Sequence, residues 1–249
     1  MKTIRQRFIP LEDCGLNVRE AGEGQGESRR VEGRPIVFGV RSRNLTPWSS
    51  YRDVYEVLEP GCLTNELLLR SDIVLNINHS TKVTDILGRC RNGKGTLDIG
   101  LRESYVEAGC DLPNTNCAND TLELIKRGDI SGMSFAFEDD EEDSENGVSY
   151  EKVGIENGRE IWIRHVKRIT AIRDVAIVTN PAYEQTSVAT REMGDEIMKR
   201  IDALSDETQD EKLREVDEQA VKEAEAQAAQ QAAEREYNHR KRLLQMKNL

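Results

Sequence analysis

The sequence predicts an α+β fold that is mainly β-strand, a barrel or sandwich with a few short helices and a C-terminal helical tail. Residues 31–190 of the 249-residue chain contain both Trp, three of the four Phe and five of the six Pro, so this segment must hold the core. Within it, short β-rich apolar runs are separated by polar, turn-forming stretches. Beyond residue 190 the chain has no Trp, Phe or Pro and consists largely of helix-forming residues.

Six runs are predicted to be strands because they are rich in β-branched and apolar residues, several of which alternate with polar ones. They are Arg34–Val40, Ile73–Asn78, Leu97–Leu101, Ile130–Phe137, Ile161–Val166 and Asp174–Thr179. In the fourth run, Met133, Phe135 and Phe137 are predicted to point into the core. Ser134 then lies on the opposite face, beside the small residues Gly132 and Ala136.

Two segments are predicted to be helical, Tyr51–Leu58 and Ala118–Arg127. In the second, Gly128 supplies a stop signal after a run that contains Leu122, Leu124 and Ile125.

An acidic run at 138–146 (EDDEEDSEN) lies between two predicted strands. It lacks the ordered Asp, Asn and Gly spacing of a calcium-binding loop, so a solvated hairpin loop is predicted instead.

The core segment has an appendage on each side. Residues 1–30 are polar, and their glycine and charge content predicts a flexible N-terminal arm. Residues 191–249 are predicted to form one or two long helices with an alanine-rich apolar stripe that is too small to bury much surface alone. We therefore expect this charged tail to self-associate, to dock on a partner or to be only partly ordered.

Composition excludes several classes of protein. A formal net charge of −11 argues against non-specific nucleic-acid binding, which needs a basic surface. No apolar run is long enough for a membrane span, and the N-terminus lacks a secretory signal, so no membrane partner is expected. The five cysteines form no CxxC pair, and we expect free thiols in a reducing cytoplasm rather than zinc sites or disulfides.

The side chains available for chemistry are few, because the chain has three histidines. His239 lies in the charged tail, His165 in a predicted strand, and His79 where an apolar run gives way to a polar turn. A serine nucleophile needs a base, and the base needs an orienting partner. Ser134, His79 and Asp174 could fill these roles. Equally, Ser134 could simply bond to a neighbour and Asp174 could be exposed.

Several ordered segments together resemble one family. They are VEGRPIVF (31–38), YEVLEPG (55–61), NINH (76–79), ILGR (86–89), GDISGMSFAF (128–137) and IRDVAIVTNPAY (172–183). Over residues 31–188 the chain resembles the prohead, or capsid maturation, serine proteases of tailed bacteriophages, which are related in fold to the herpesvirus assembly protease. The resemblance implies a mainly β barrel of that type.

The same resemblance implies roles for individual residues. His79 matches the family's catalytic histidine, Ser134 its nucleophile, and Asp174 an acidic position that is more often Glu. Ala176 departs from the serine usual in that strand, which affects packing more than chemistry. Herpesvirus relatives use a second histidine as the third member, so His165 competes with Asp174, which we prefer because an acid gives the base a charged anchor.

The family further implies a serine endopeptidase that needs no cofactor or metal. Its substrates would be the scaffold, the scaffold-like arm of the major capsid protein and the enzyme itself, inside the assembling procapsid in the host cytoplasm. The alternative from another class is a scaffolding or assembly protein whose protease-like domain no longer cuts. The tail and the acidic balance suit both.

Overall fold

Strands dominate the residues that the computed structural model describes, which are 4–8, 11–20, 27–179 and 191–205. The strands are β1 (Arg5–Phe8), β2 (Asn17–Val18), β3 (Arg30–Val37), β4 (Arg52–Leu58), β5 (Asp72–Ile77), β6 (Ile86–Arg91), β7 (Lys94–Gly95), β8 (Leu97–Leu101), β9 (Tyr105–Asp111), β10 (Gly132–Asp139), β11 (Val148–Glu156), β12 (Arg159–Val166) and β13 (Ile169–Val178). The helices are α1 (Leu11–Cys14), α2 (Asn65–Arg70) and α3 (Asn116–Arg127), with a 3-10 turn at Val83–Asp85 and a further helix at 191–205.

These strands form three mixed or antiparallel sheets. The largest has the order β1-β10-β13-β5-β6-β7, the second β2-β3-β9-β8, and the third β11-β12-β4. Strands β13 and β5 are parallel, as are β12 and β4. Few helices accompany mixed sheets, so the predicted α+β class is confirmed.

The centre of the largest sheet lies in the core. Phe135 on β10, Val175 on β13 and Leu75 on β5 are all buried and belong to one apolar cluster. Parallel strands are usually covered on both faces, and β5 and β13 carry short apolar runs at 73–75 and 175–178, in which every residue but Val74 is buried. This rigid centre positions the residues described below.

Most of the predicted elements are present. Strands β3, β5, β8, β10, β12 and β13 overlap the six predicted runs, and β8 matches its run from end to end. Helix α3 is confirmed. The Thr115 side chain caps its first turn, and Gly128 ends it in the left-handed conformation at φ 80°, which glycine adopts without strain.

The predicted helix at Tyr51–Leu58 is wrong, because residues 52–58 form strand β4. Buried and less buried residues alternate at its start, with Arg52, Val54 and Glu56 facing inward. Two of these inward residues are charged, so the period of two is hidden when the sequence is read as apolar or polar.

The predicted barrel is also wrong for the described part of the chain. The three sheets are open, because the pairing of strands in each stops at an edge strand on both sides. Among the described strands, the two edge strands of a sheet do not pair with each other, so no sheet closes into a barrel.

The acidic run differs from its prediction as well. Strand β10 continues through Glu138 and Asp139, and both side chains are buried. Turns follow only after this point, before β11 begins at Val148. Burial of these carboxylates is possible because arginines from distant segments pair with them.

The two appendages are described in part. Residues 5–8, within the predicted flexible arm, form strand β1 on the edge of the largest sheet, so the structure differs there from the prediction. Residues 191–205 of the predicted tail are helical, while 206–249, with His239, lie outside the described residues. All five cysteines are free thiols, and four are buried.

Candidate active site

Ser134 lies on strand β10, the second strand of the largest sheet. It is paired on one side with Ala176 of β13 and on the other with Phe8 of β1. The Ser134 side chain is on the same face as Ala136 and is fully buried. The resemblance expects serine at position 176, and the alanine there leaves a small neighbour directly across from Ser134.

His79 lies just beyond the end of β5, in a backbone turn that uses an unusual conformation. Asn78 and His79 have φ of 49° and 54°, in the left-handed region that Asn and His tolerate better than most residues. The turn is held by the Asn78 N–H, which donates to the Ile177 carbonyl at 3.0 Å, and by the Thr179 N–H, which donates to the Asn78 side chain at 3.1 Å. Such strain, where the surroundings enforce it, is typical of functional positions.

Asp174 lies on β13, and its position in the sheet register brings it to the same face as Ser134. Asp174 is paired with Ala136, two residues along β10 from Ser134. Its Oδ1 is 2.5 Å from Nδ1 of His79, and Nε2 of His79 is 2.6 Å from Oγ of Ser134. Three strands that are neighbours in the sheet therefore bring the three predicted residues into one hydrogen-bonded chain.

The geometry of this chain suits proton transfer. The His79 side chain is 4% exposed and that of Asp174 is 19% exposed, so solvent screens their interaction weakly. With Nδ1 donating to Asp174, Nε2 can accept the hydroxyl proton of Ser134. The arrangement can activate a serine for attack on a carbonyl carbon.

His165, the alternative third member, lies elsewhere. It belongs to β12 in the three-stranded sheet, where Nδ1 is 2.6 Å from Glu59 and Nε2 is 3.1 Å from Glu151. Both of its ring nitrogens therefore face carboxylates. The structure places Asp174, and not His165, against His79.

A second set of residues near Ser134 was missed by sequence reasoning. The Ser134 hydroxyl is 2.8 Å from the main-chain oxygen of Arg7, a residue of β1. The side chains of Arg5 and Arg7 are buried, at 0% and 4% exposure. They take part in an ionic network with Glu56, Asp139, Glu141 and Arg164.

In this network the buried carboxylates and guanidinium groups stabilise each other's charged forms. Burial favours the neutral form of Glu56, but Arg7 and Arg164 outweigh it and lower the pKa of that carboxyl group. Burial also works against the Arg164 cation, but Glu56 and Asp139 raise its pKa well above the ordinary value. Arg5 and Arg7 alternate in the sequence as strand residues on one face do, which is the signal that could have indicated them.

A comparison with protein families agrees with the resemblance seen in the sequence. A family model described as caudovirus prohead serine protease matches residues 15–201. The solved structure of the bacteriophage T4 capsid assembly protease, gp21, is similar over 68% of this chain and 96% of that chain, at 12% identity and a TM-score of 0.36. No curated protein matches the chain. Within the described residues, no helix combines the length and apolar character needed to cross a membrane.

Proposed function

Because the chain belongs to the family of caudovirus prohead serine proteases, we propose that it is a serine endopeptidase with Ser134 as nucleophile, His79 as general base and Asp174 as the residue that orients the base. The observation that carries the proposal is the hydrogen-bonded chain from Asp174 through His79 to Ser134. It joins the three residues that the family resemblance singles out, and they come from separate parts of the sequence.

In the proposed reaction, Oγ of Ser134 attacks the carbonyl carbon of a peptide bond while Nε2 of His79 takes the hydroxyl proton. The C–N bond of the tetrahedral intermediate then breaks, and His79 gives the proton to the departing amine. A water molecule attacks the acyl-enzyme ester in the same way, which releases the new carboxylate and restores the Ser134 hydroxyl. Asp174 accepts the Nδ1 hydrogen bond and stabilises the imidazolium in both halves.

The substrates we propose follow from the family. They are the scaffold, the scaffold-like arm of the major capsid protein and the enzyme itself, within the procapsid in the host cytoplasm. The protease domain would comprise residues 31–190, with residues 1–30 as an arm. The charged tail, 191–249, would help to package the enzyme into the procapsid, by self-association or by docking on a partner.

One observation favours the alternative of a non-cleaving assembly protein. The Ser134 side chain is fully buried, so a substrate cannot reach it in this arrangement, and residues 5–8 of β1 pair with the outer edge of its strand. The alternative predicts that Ser134 reacts with a serine-directed phosphonate no faster than an ordinary serine does. The protease proposal predicts stoichiometric labelling of Ser134.

The decisive experiment is incubation of the purified chain with its own capsid subunit, followed by mass mapping of the fragments. Ser134→Ala should lower the rate of cleavage on the order of 10⁶-fold, because the nucleophile is lost. Ser104→Ala, at an exposed serine in the turn between β8 and β9, is the matched control and should cut at the normal rate. Cleavage retained by Ser134→Ala would reject the proposal.

A further inference from the structure

Strand β1 is the edge strand of the largest sheet and pairs with β10, the strand that carries Ser134. It runs antiparallel to β10, with Phe8 opposite Ser134 and Arg5 opposite Phe137. The other edge of β10 is already paired with β13, so β1 takes the edge of β10 at which another peptide could add. Extended peptides commonly bind proteins in this way, through main-chain bonds to a sheet edge.

The main-chain oxygen of Arg7 lies at Ser134. At 2.8 Å it accepts the Ser134 hydroxyl, whose oxygen is also 2.6 Å from His79. The hydroxyl has one hydrogen, so it cannot donate to Arg7 and His79 at once. The carbonyl group of Arg7 lies beside the hydroxyl, with its oxygen and not its carbon in contact, so it lies in the way of a substrate carbonyl and is not itself placed for attack.

Two arginine side chains of β1 bind to two groups of buried carboxylates. Arg7 faces Glu56 with two nitrogens, one of them 2.6 Å from Oε2. Arg5 donates from Nε to Asp139 at 2.8 Å and from Nη2 to Glu141. Paired contacts between a planar guanidinium and carboxylates are geometrically selective, and lysine does not reproduce them.

Charge balance explains why these positions need basic residues. Glu56, Asp139 and Glu141 contribute three negative charges, and among the described residues outside β1 the network gains one cation, Arg164. Departure of β1 would remove two of the cations that pair with these buried carboxylates, and burial makes the loss of a counter-charge costly. Burial lowers the pKa of the Arg7 guanidinium, against the opposing effect of Glu56, so Arg7 too is held at a desolvation cost.

We propose that residues 5–8 occupy the place of the substrate, and that the protease prefers peptides with a basic residue, above all arginine, at the scissile carbonyl and at the second residue before it. Glu56 recognises the first side chain, and Asp139 with Glu141 recognises the second. The inference rests on the proposed function, since it concerns the specificity of the same site. Strand β1 is then an intramolecular competitor that a substrate must displace.

The first test measures specificity in the full chain. The probe is an internally quenched peptide that contains Arg-Gln-Arg-Phe, the sequence of residues 5–8. Two matched peptides carry the neutral isostere citrulline in place of the first or the second arginine. Each replacement should lower kcat/KM by about tenfold or more, the size expected for loss of a charged hydrogen bond.

Variants of the acidic residues assign each preference. Glu56→Gln should remove the discrimination at the arginine nearest the cut and leave the other intact. Glu141→Gln should weaken the discrimination at the other arginine, where Asp139 still contributes, and leave the first intact. A merely structural role would lower cleavage of all three peptides by the same factor, which would overturn the assignment.

A second measurement leaves the acidic residues unchanged and alters the arginines of β1. Arg5→Ala with Arg7→Ala removes both anchors of β1, so phosphonate labelling of Ser134 should become at least about tenfold faster. Arg19→Ala is the matched control, because its arginine lies outside β1 and pairs with Glu32 at the surface. An unchanged labelling rate in the double variant would overturn the role of β1.

The outcomes separate this inference from the proposed function. If Ser134 is labelled and the citrulline peptides are cut as fast as the arginine peptide, the inference fails and the protease assignment stands. If Ser134 is not labelled and no peptide is cut by any variant, the proposed function fails and the inference fails with it.

Discussion

His79 and His165 share one feature, since each has Nδ1 against a carboxylate. The distance is 2.5 Å from His79 to Asp174 and 2.6 Å from His165 to Glu59. They differ in burial, because the His79 side chain is 4% exposed and that of His165 is 21% exposed. A carboxylate beside the ring does not by itself distinguish a base from a surface histidine.

The second ring nitrogen makes the distinction. Nε2 of His79 faces the hydroxyl of Ser134, whereas Nε2 of His165 faces the carboxylate of Glu151. Carboxylates at both nitrogens leave the ring no hydroxyl to deprotonate, while a hydroxyl at one of them allows a proton to move. Whether the imidazole can act as a base therefore depends on the group that faces Nε2.

The largest effect should come from His79→Ala. In the proposed mechanism this change removes the base that accepts the Ser134 proton, so peptide cleavage should fall on the order of 10⁶-fold. The measurement is kcat with a peptide substrate, with thermal unfolding as a check of folding. Activity within tenfold of the original chain would break the contrast between the two histidines.

Asp174→Asn should have the next largest effect. An amide can leave His79 in the wrong tautomer and cannot stabilise the imidazolium, so kcat should fall on the order of 10⁴-fold. Glu59→Gln, which makes the same change beside His165, is the matched control and should keep kcat within about twofold. Equal losses in the two variants would contradict the comparison.

His165→Asn should have the smallest effect. Its contacts with Glu59 and Glu151 are partly exposed, so the free energy of unfolding should fall by no more than about 1 kcal/mol, and kcat should change by less than about twofold. Denaturant unfolding and peptide cleavage measure the two quantities. A loss of activity larger than that of Asp174→Asn would transfer the third catalytic role to His165.

Sequence patterns predicted the elements whose inward residues are apolar. Strand β8 alternates cleanly from Leu97 to Leu101, and helix α3 has both a cap at Thr115 and a stop at Gly128, so both were predictable. Strand β4 was mistaken for a helix because Arg52 and Glu56 point inward. Local pattern does not reveal a buried charge, since its partner is distant in the sequence.

The candidate site also contains some residues that the sequence indicates and others that it does not. The resemblance indicated His79, Ser134 and Asp174, and pattern alone left them among several possibilities. The arginines of β1 could not be assigned in this way. Arg5 is 134 residues from Asp139, and Arg7 is 49 residues from Glu56, so only the folded sheet brings them together.

The register of β10 against β13 has a consequence for how the enzyme can diverge. Ser134 lies opposite Ala176, and Asp174 lies on the same face two residues away. Insertions and deletions in the connecting segments can accumulate without disturbing this alignment. One extra residue between Asp174 and Ala176 would instead turn the carboxylate to the far side of the sheet, away from His79.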